Sequence, residues 1–237
     1  MENVIFSVAR KFGVDGITVE SLTDGLIHQT FKVTSFSGYS IVLQQVNTHV
    51  FADAGIIVEN YRIISDCLKH QGSIIPAMLK TTDGKNLWVD NTSNWRAFEY
   101  IENSHTENLP AAAETIFNAA QCYGAFVKAL RDIDLTNLRP TIAGFHDLNN
   151  RYKLFQHAIK SASEIRLKKS KVLMEKIESR TSLVKFYDEI VQNPKFKIRA
   201  MHHDCKLSNI LFDKKTKSAI CPIAGRILDR REPAYPR

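Results

Sequence analysis

Hydrophobic periodicity changes once along this chain of 237 residues, and the change falls after Ile101. Before that point apolar residues come in short runs rich in Val, Ile, Thr, Phe and Tyr, the residue types that suit a pleated, half-buried surface. The runs Ile27 to Phe36 and Tyr39 to Val46 meet at Ser37-Gly38, which predicts a β-hairpin. Three more follow, Ile74 to Lys80, Asn86 to Asp90 and Trp95 to Ile101, with a turn at Asp83-Gly84. One helix interrupts them. From Asp53 to His70, Ile57, Tyr61, Ile64 and Leu68 recur at helical spacing, and Gly72 ends the pattern. Beyond Ile101 the period is helical. Pro110 opens a helix with Ile116, Ala120, Tyr123, Val127 and Leu130 on one face. A second helix is expected over residues 147–165, and a third over about residues 170–192 with Leu173, Ile177, Val184, Tyr187 and Val191 in register. Such stripes read as core. The expectation is an α+β chain: a mainly β segment carrying one helix, 1–101, and a helical segment, 102–223, divided at the polar stretch 102–110.

Composition narrows the class. With 44% hydrophobic and 24% charged residues, the chain has the balance of a globular protein with a real core. No apolar run approaches the roughly 18–20 residues that span a bilayer. Met1–Phe12 has Glu2 near its start, no basic region and no small-residue cleavage site, so neither a secretory leader nor a membrane partner is expected. Cys67, Cys122, Cys205 and Cys221 form no C-x-x-C pair and no zinc spacing, and read as free thiols of a reducing, cytoplasmic compartment. The net charge of +7 raises nucleic acid as a partner. Yet the basic residues are scattered, and the one dense run, Lys168, Lys169 and Lys171, lacks interleaved aromatics. It reads as a solvated helix face, and no nucleic-acid partner is expected.

The chemistry concentrates in Ile198–Asp213, IRAMHHDCKLSNILFD. Two apolar runs, Ile198 to Met201 and Ile210 to Phe212, flank a polar loop that reads His-x-Asp with Asn five residues after the Asp. Phosphoryl transfer needs a carboxylate to accept the proton of the attacking hydroxyl, which fits Asp204 as catalytic base. It needs an oxygen ligand for Mg2+ nearby, which fits Asn209. A cation two residues beyond the base, Lys206, can meet the moving phosphoryl group. The alternative is a surface hairpin with a few polar residues, since His-x-Asp alone is common. Of His202 and His203, one is expected to pack beneath the loop, and neither has the third ligand that a metal role requires.

That loop, read with Gly25-Leu26-Ile27-His28-Gln29-Thr30-Phe31 and Ile41-Val42-Leu43-Gln44-Gln45-Val46-Asn47, resembles the aminoglycoside phosphotransferase and choline kinase superfamily. Within it the chain is most similar to the N-acetylhexosamine 1-kinases. The resemblance implies a protein-kinase-like two-lobed fold: a β-rich nucleotide-binding N-lobe, 1–101, an incomplete helical C-lobe, 102–223, and an atypical tail, 224–237. It implies ATP with Mg2+ as cofactors and a small hydroxyl substrate, an amino sugar phosphorylated at its anomeric hydroxyl; choline, homoserine or an aminoglycoside are the alternatives. Gly25 to Phe31, including His28 and Thr30, would turn over the nucleotide phosphates, where Gly permits close approach; a plain strand-entry turn is the alternative for Gly25. Trp95 to Asn103 would be the hinge, with the backbone of Glu99, Tyr100 and Ile101 meeting adenine. Glu59 would sit where kinases place the acid paired with a phosphate-binding lysine, or else be a solvated helix acid.

Two departures from the family pattern stand out. The strand that usually carries that lysine reads Val42-Leu43-Gln44-Gln45, so Gln44 or Gln45 would donate to phosphate with less charge behind it. After the hairpin Ile210–Asp213, Lys214–Lys217, Ala219–Ile223, the family places an Asp that binds magnesium, and here the residue is Ala224. Asp229 comes five residues too late for that role. The expectation is a C-terminally truncated chain, impaired as a kinase or reduced to a nucleotide-binding remnant.

Overall fold

The hairpin expected around Ser37-Gly38 is the centre of the fold. In the computed structural model, which describes residues 2–22, 27–90, 92–110, 112–223 and 229–230, β2 (Gln29–Ser35) and β3 (Ser40–Val46) pair antiparallel, with Gly38 at φ +82° in the turn. β1 (Gly16–Ser21) flanks β2. On the other side β3 pairs with β6 (Asn94–Glu99), which also holds the short strands β4 (Met78–Leu79) and β5 (Trp88–Val89). All these pairings are antiparallel.

Strand alternation gives the sheet two working faces. Phe31, Val33, Ile41, Leu43, Trp95 and Ala97 point one way and are buried against Ile5, Val8, Ala9 and Phe12. Those four belong to α1 (Glu2–Lys11) and the residue that follows it. This helix corrects the expectation of a single helix within 1–101. Its stripe covers barely two turns beside a β-rich segment, too little to be read by period alone. The opposite face packs on α2 (Ala54–His70), whose expected stripe Tyr61, Ile64 and Leu68 is buried with Phe98 and Ile75. Asp53 caps α2, its carboxylate accepting from the N–H groups of Gly55 and Ile56, which stabilises such a helix by about 1 kcal/mol.

The described residues divide into two compact units, one within 1–141 and 200–229 and one within 142–199 and 230–237. The first adds α3 (Ala113–Ala129) and an antiparallel sheet in the order β10 (Ala219–Pro222), β9 (Ile210–Asp213), β7 (Ser104–His105). α3 keeps only the later part of its expected stripe: Leu130 is buried, and Val127 and Tyr123 pack against the core, while Ile116 is 52% exposed and Thr115, Ala119, Phe126 and Ala129 are buried beside them.

The second unit holds α4 (Leu148–Ser161), α5 (Glu164–Glu178) and α6 (Ser182–Gln192), and none of the three has a buried residue. The helix expected over 170–192 is two helices. Ser179 Oγ and Arg180 both bond to the Lys176 carbonyl, at 3.1 and 3.0 Å, and so close α5. Leu173 and Ile177 are exposed, so they do not form the core stripe the spacing suggested. Among the described residues no helix is long and apolar enough to cross a membrane.

Candidate active site

The polar loop between β8 (Ala200–Met201) and β9 is held from within and from below. Asp204 and Asn209 are five residues apart, and a 3₁₀ turn at Leu207–Asn209 brings them together. The Asn209 amide donates to the Asp204 carboxylate at 2.7 Å and to its carbonyl at 2.9 Å. These two bonds commit both amide hydrogens of Asn209 and leave its side-chain oxygen as an acceptor. Lys206 Nζ stands 3.7 Å from Asp204 Oδ2, both side chains about one-third exposed. The Tyr123 hydroxyl, on α3, donates to the Lys206 carbonyl at 3.0 Å, with the carbonyls of Asn209 and Asp204 at 3.4 and 3.5 Å. Burial pushes the Tyr123 phenol well up, so it remains a neutral donor under the loop. His203, beside Asp204, has φ +62°, a left-handed backbone that costs a non-glycine residue about 1–2 kcal/mol.

A cleft of about 470 Å³ adjoins the loop. Its sheet wall is Thr30, Val42, Gln44 and Phe98; Glu99, Tyr100 and Ile101 form one side; Asn209, Leu211 and Ile223 form the floor. The volume and the mix of apolar wall with a few polar groups match a small-ligand site. Among the described residues no group of three or more His, Cys, Asp or Glu is placed to hold a metal ion.

The sequence-expected residues divide into three groups. Thr30, Gln44, Glu99, Tyr100, Ile101 and Asn209 line the cleft, and Asp204 and Lys206 adjoin it through Asn209. His28 and Glu59 stand elsewhere. His28 is buried, stacked on Phe51, and its Nδ1 accepts from the Asn47 backbone at 3.1 Å. Glu59 is exposed and forked onto Arg62, one turn along its own helix, at 2.7 and 3.1 Å; that bond holds its carboxyl below the usual range. Gly25 and Ala224 lie outside the described residues. Gln45 is on the strand face opposite Gln44. The motifs do not mark Tyr61, expected only as core, whose hydroxyl donates to Pro76 O at 2.5 Å, nor Arg96, bonded to Gln44.

His202 is the histidine beneath the loop. It is 1% exposed, edge-on to Tyr123 and Phe126, and its Nε2 meets the Ile223 carbonyl at 3.0 Å. A carbonyl only accepts, so Nε2 carries the proton. Burial drives the imidazole below its ordinary 6.5, against smaller opposing effects of that hydrogen bond and of Asp204. A depressed folded value means the unfolded chain takes up a proton that the native chain refuses. The site's stability is therefore full above about pH 6.5 and falls as pH drops toward the folded value, with a slope of at most about 1.4 kcal/mol per pH unit. Denaturation midpoints measured from pH 8 to 5 should fall for the wild type and fall less for His202→Asn; parallel curves would remove His202 as the cause.

Residues 18–220 match the model of the phosphotransferase enzyme family. Among solved structures the chain is similar to a spectinomycin phosphotransferase solved with ADP and spectinomycin, at 13% identity and TM-score 0.63, covering 96% of this chain and 69% of that one. It is similar to a microcompartment-associated aminopropanol kinase at 13% identity and TM-score 0.64, with 94% and 69% covered. For a choline kinase from Streptococcus pneumoniae the figures are 13%, 0.53, 98% and 70%. At such identities the likeness is one of fold, and it is the fold derived above: an antiparallel sheet backed by α2, followed by helices and a loop opening onto the sheet's cleft. The family match over most of the sequence settles the rest: this chain belongs to the phosphotransferase enzyme family and has the mixed helix-and-sheet fold of its small-molecule kinases.

Proposed function

We propose that the protein transfers the γ-phosphoryl group of ATP to the hydroxyl of a small molecule, with Asp204 as the base. The observation that carries this reading is the Asp204–Asn209 pair, locked at 2.7 Å at the edge of a cleft with an apolar wall. Adenine fits against Val42 and Phe98. In the adjoining segment the Glu99 N–H is taken by Ala77 O at 2.9 Å and the Tyr100 N–H by Ser40 O at 3.4 Å, which leaves the Glu99 carbonyl and the Ile101 N–H to serve a base edge. The phosphates then run past Thr30 and Gln44 toward the loop. Asp204 accepts the proton of the attacking hydroxyl, and Lys206 offsets charge on the phosphoryl oxygens.

The donor set suits one magnesium position in part. Asn209 Oδ1 would hold the ion together with phosphate oxygens and water. Bound there, magnesium would neutralise charge on the phosphates. For the acceptor we propose an amino sugar, an N-acetylhexosamine phosphorylated at its anomeric hydroxyl, on the likeness of the Gly25–Phe31 and Ile41–Asn47 segments to kinases of that type. Calorimetric titration with ATP, and ADP release measured over a panel of amino sugars and amino alcohols, test both levels. ATP binding is expected, with ADP release that N-acetylhexosamines stimulate but that stays slow, because Ala224 stands where the family places its magnesium-binding Asp. Stimulation by amino alcohols alone would overturn the acceptor, and absence of ATP binding would overturn the kinase reading.

A further inference from the structure

The phosphate end of the cleft carries glutamine at the strand position where kinases of this fold place lysine, so its positive charge must come from elsewhere. We propose that Arg96 is that cation, a positioning residue acting through Gln44, an inference that rests on the nucleotide reading above. The three residues concerned form one row across the sheet: Thr30 pairs with Gln44, and Gln44 with Arg96. Alternation puts all three side chains on the cleft face. Arg96 Nε and a terminal guanidinium nitrogen donate to Gln44 Oε1 at 2.9 and 2.7 Å.

This contact decides which way the amide faces. A guanidinium only donates, so it must meet the amide oxygen, and the Gln44 NH₂ must turn the other way. That NH₂ donates to Thr30 Oγ1 at 3.0 Å, so the Thr30 hydroxyl proton is released for another acceptor. The row therefore offers an anion in the cleft two donors, the second Gln44 N–H and the Thr30 O–H, both polarised by the charge behind them. Arg96 is fully buried, so water screens it little. Burial lowers it only to about 10, and it remains a cation at neutral pH. The competing role is purely structural: the guanidinium also lies over the Phe98 ring, 5.1 Å from its centre, and could serve as packing.

Affinities for ATP and for adenosine separate the two, measured on the wild type, Arg96→Met, Arg96→Lys, and the double variant Arg96→Met with Gln44→Lys. Losing a charge-assisted donor set is expected to weaken ATP at least about tenfold in Arg96→Met while adenosine stays within about twofold. Arg96→Lys should keep part of the ATP affinity. The double variant, with its cation moved one strand, should regain most of it. Equal loss of ATP and adenosine, or no recovery in the double variant, assigns Arg96 to packing and overturns the inference. Should Arg96→Met fail to fold, the double variant decides alone: its ATP-to-adenosine ratio must lie within about threefold of the wild type's. A wild type that binds ATP beside an unimpaired Arg96→Met sinks the inference and spares the nucleotide reading, whereas a wild type that binds no ATP sinks both.

Discussion

Replacing Asp204 with Asn should lower kcat by about 10² to 10⁴-fold while leaving nucleotide affinity within a few-fold of the wild type. The substitution keeps shape and volume and removes the proton acceptor. It should also disturb its neighbour little. The Asn209 amide that now donates to Asp204 Oδ2 at 2.7 Å can donate to an amide oxygen at the same place, and the bond to the Asp204 backbone carbonyl is unaffected. The 3.7 Å approach of Lys206 loses its charge partner, but that pair is partly solvated and contributes little stability. The loss should therefore appear in kcat rather than in KM. Single-turnover and steady-state ADP release on both proteins provide the measurement. A kcat within about twofold of the wild type would mean that the hydroxyl proton leaves by another route and that Asp204 is not the base.

Much of this site is legible in the sequence because its chemistry is local. Asp204, Lys206 and Asn209 lie within six residues, so the 3₁₀ turn at Leu207–Asn209 is enough to bring the first and last together. The β2–β3 hairpin and α2 are legible for the same reason: a Ser-Gly turn and a four-residue apolar period act over short range. What escapes is set by distant partners. Arg96 sits in Trp95-Arg96-Ala97-Phe98, where a charge inside an otherwise apolar strand is a signal, but its contact with Gln44 appears only when register places the two together, 52 positions apart. Glu59 faces Arg62 rather than the cleft, a choice of helix face that spacing from the hairpin does not fix. On α3 the expectation fails in the first turns, because Ala119 and Cys122 on the inner face carry a weaker apolar signal than the outward Ile116. In α5 an apolar period is present without burial, so period alone did not report core.

Phe212→Ala should cost about 3–5 kcal/mol of stability, the usual loss for a large aromatic removed from a packed site, and should impair activity without touching the reacting groups. Phe212 is fully buried and clusters with Ala119 of α3 and Ile210 of its own strand, with Cys122, Tyr123 and Leu207 packed around them. It is also the residue by which β9 pairs with both neighbours, opposite Ala219 and His105, and its carbonyl lies 3.1 Å from His105 Nδ1. β9 begins immediately after Asn209, so the strand sets where the loop's last residue stands. A void behind it loosens the Asn209 side chain that holds Asp204, and it removes apolar support from Tyr123, whose hydroxyl spans three loop carbonyls. Phe36→Ala is the control: that ring is 83% exposed, and its removal should change stability by no more than about 0.5 kcal/mol. Urea titrations of the three proteins, with ADP release below the transition, give both readings. A Phe212→Ala loss below about 1 kcal/mol would show that the hairpin is not anchored by this ring, and the rigidity of the loop would then have to come from Tyr123 and His202 alone.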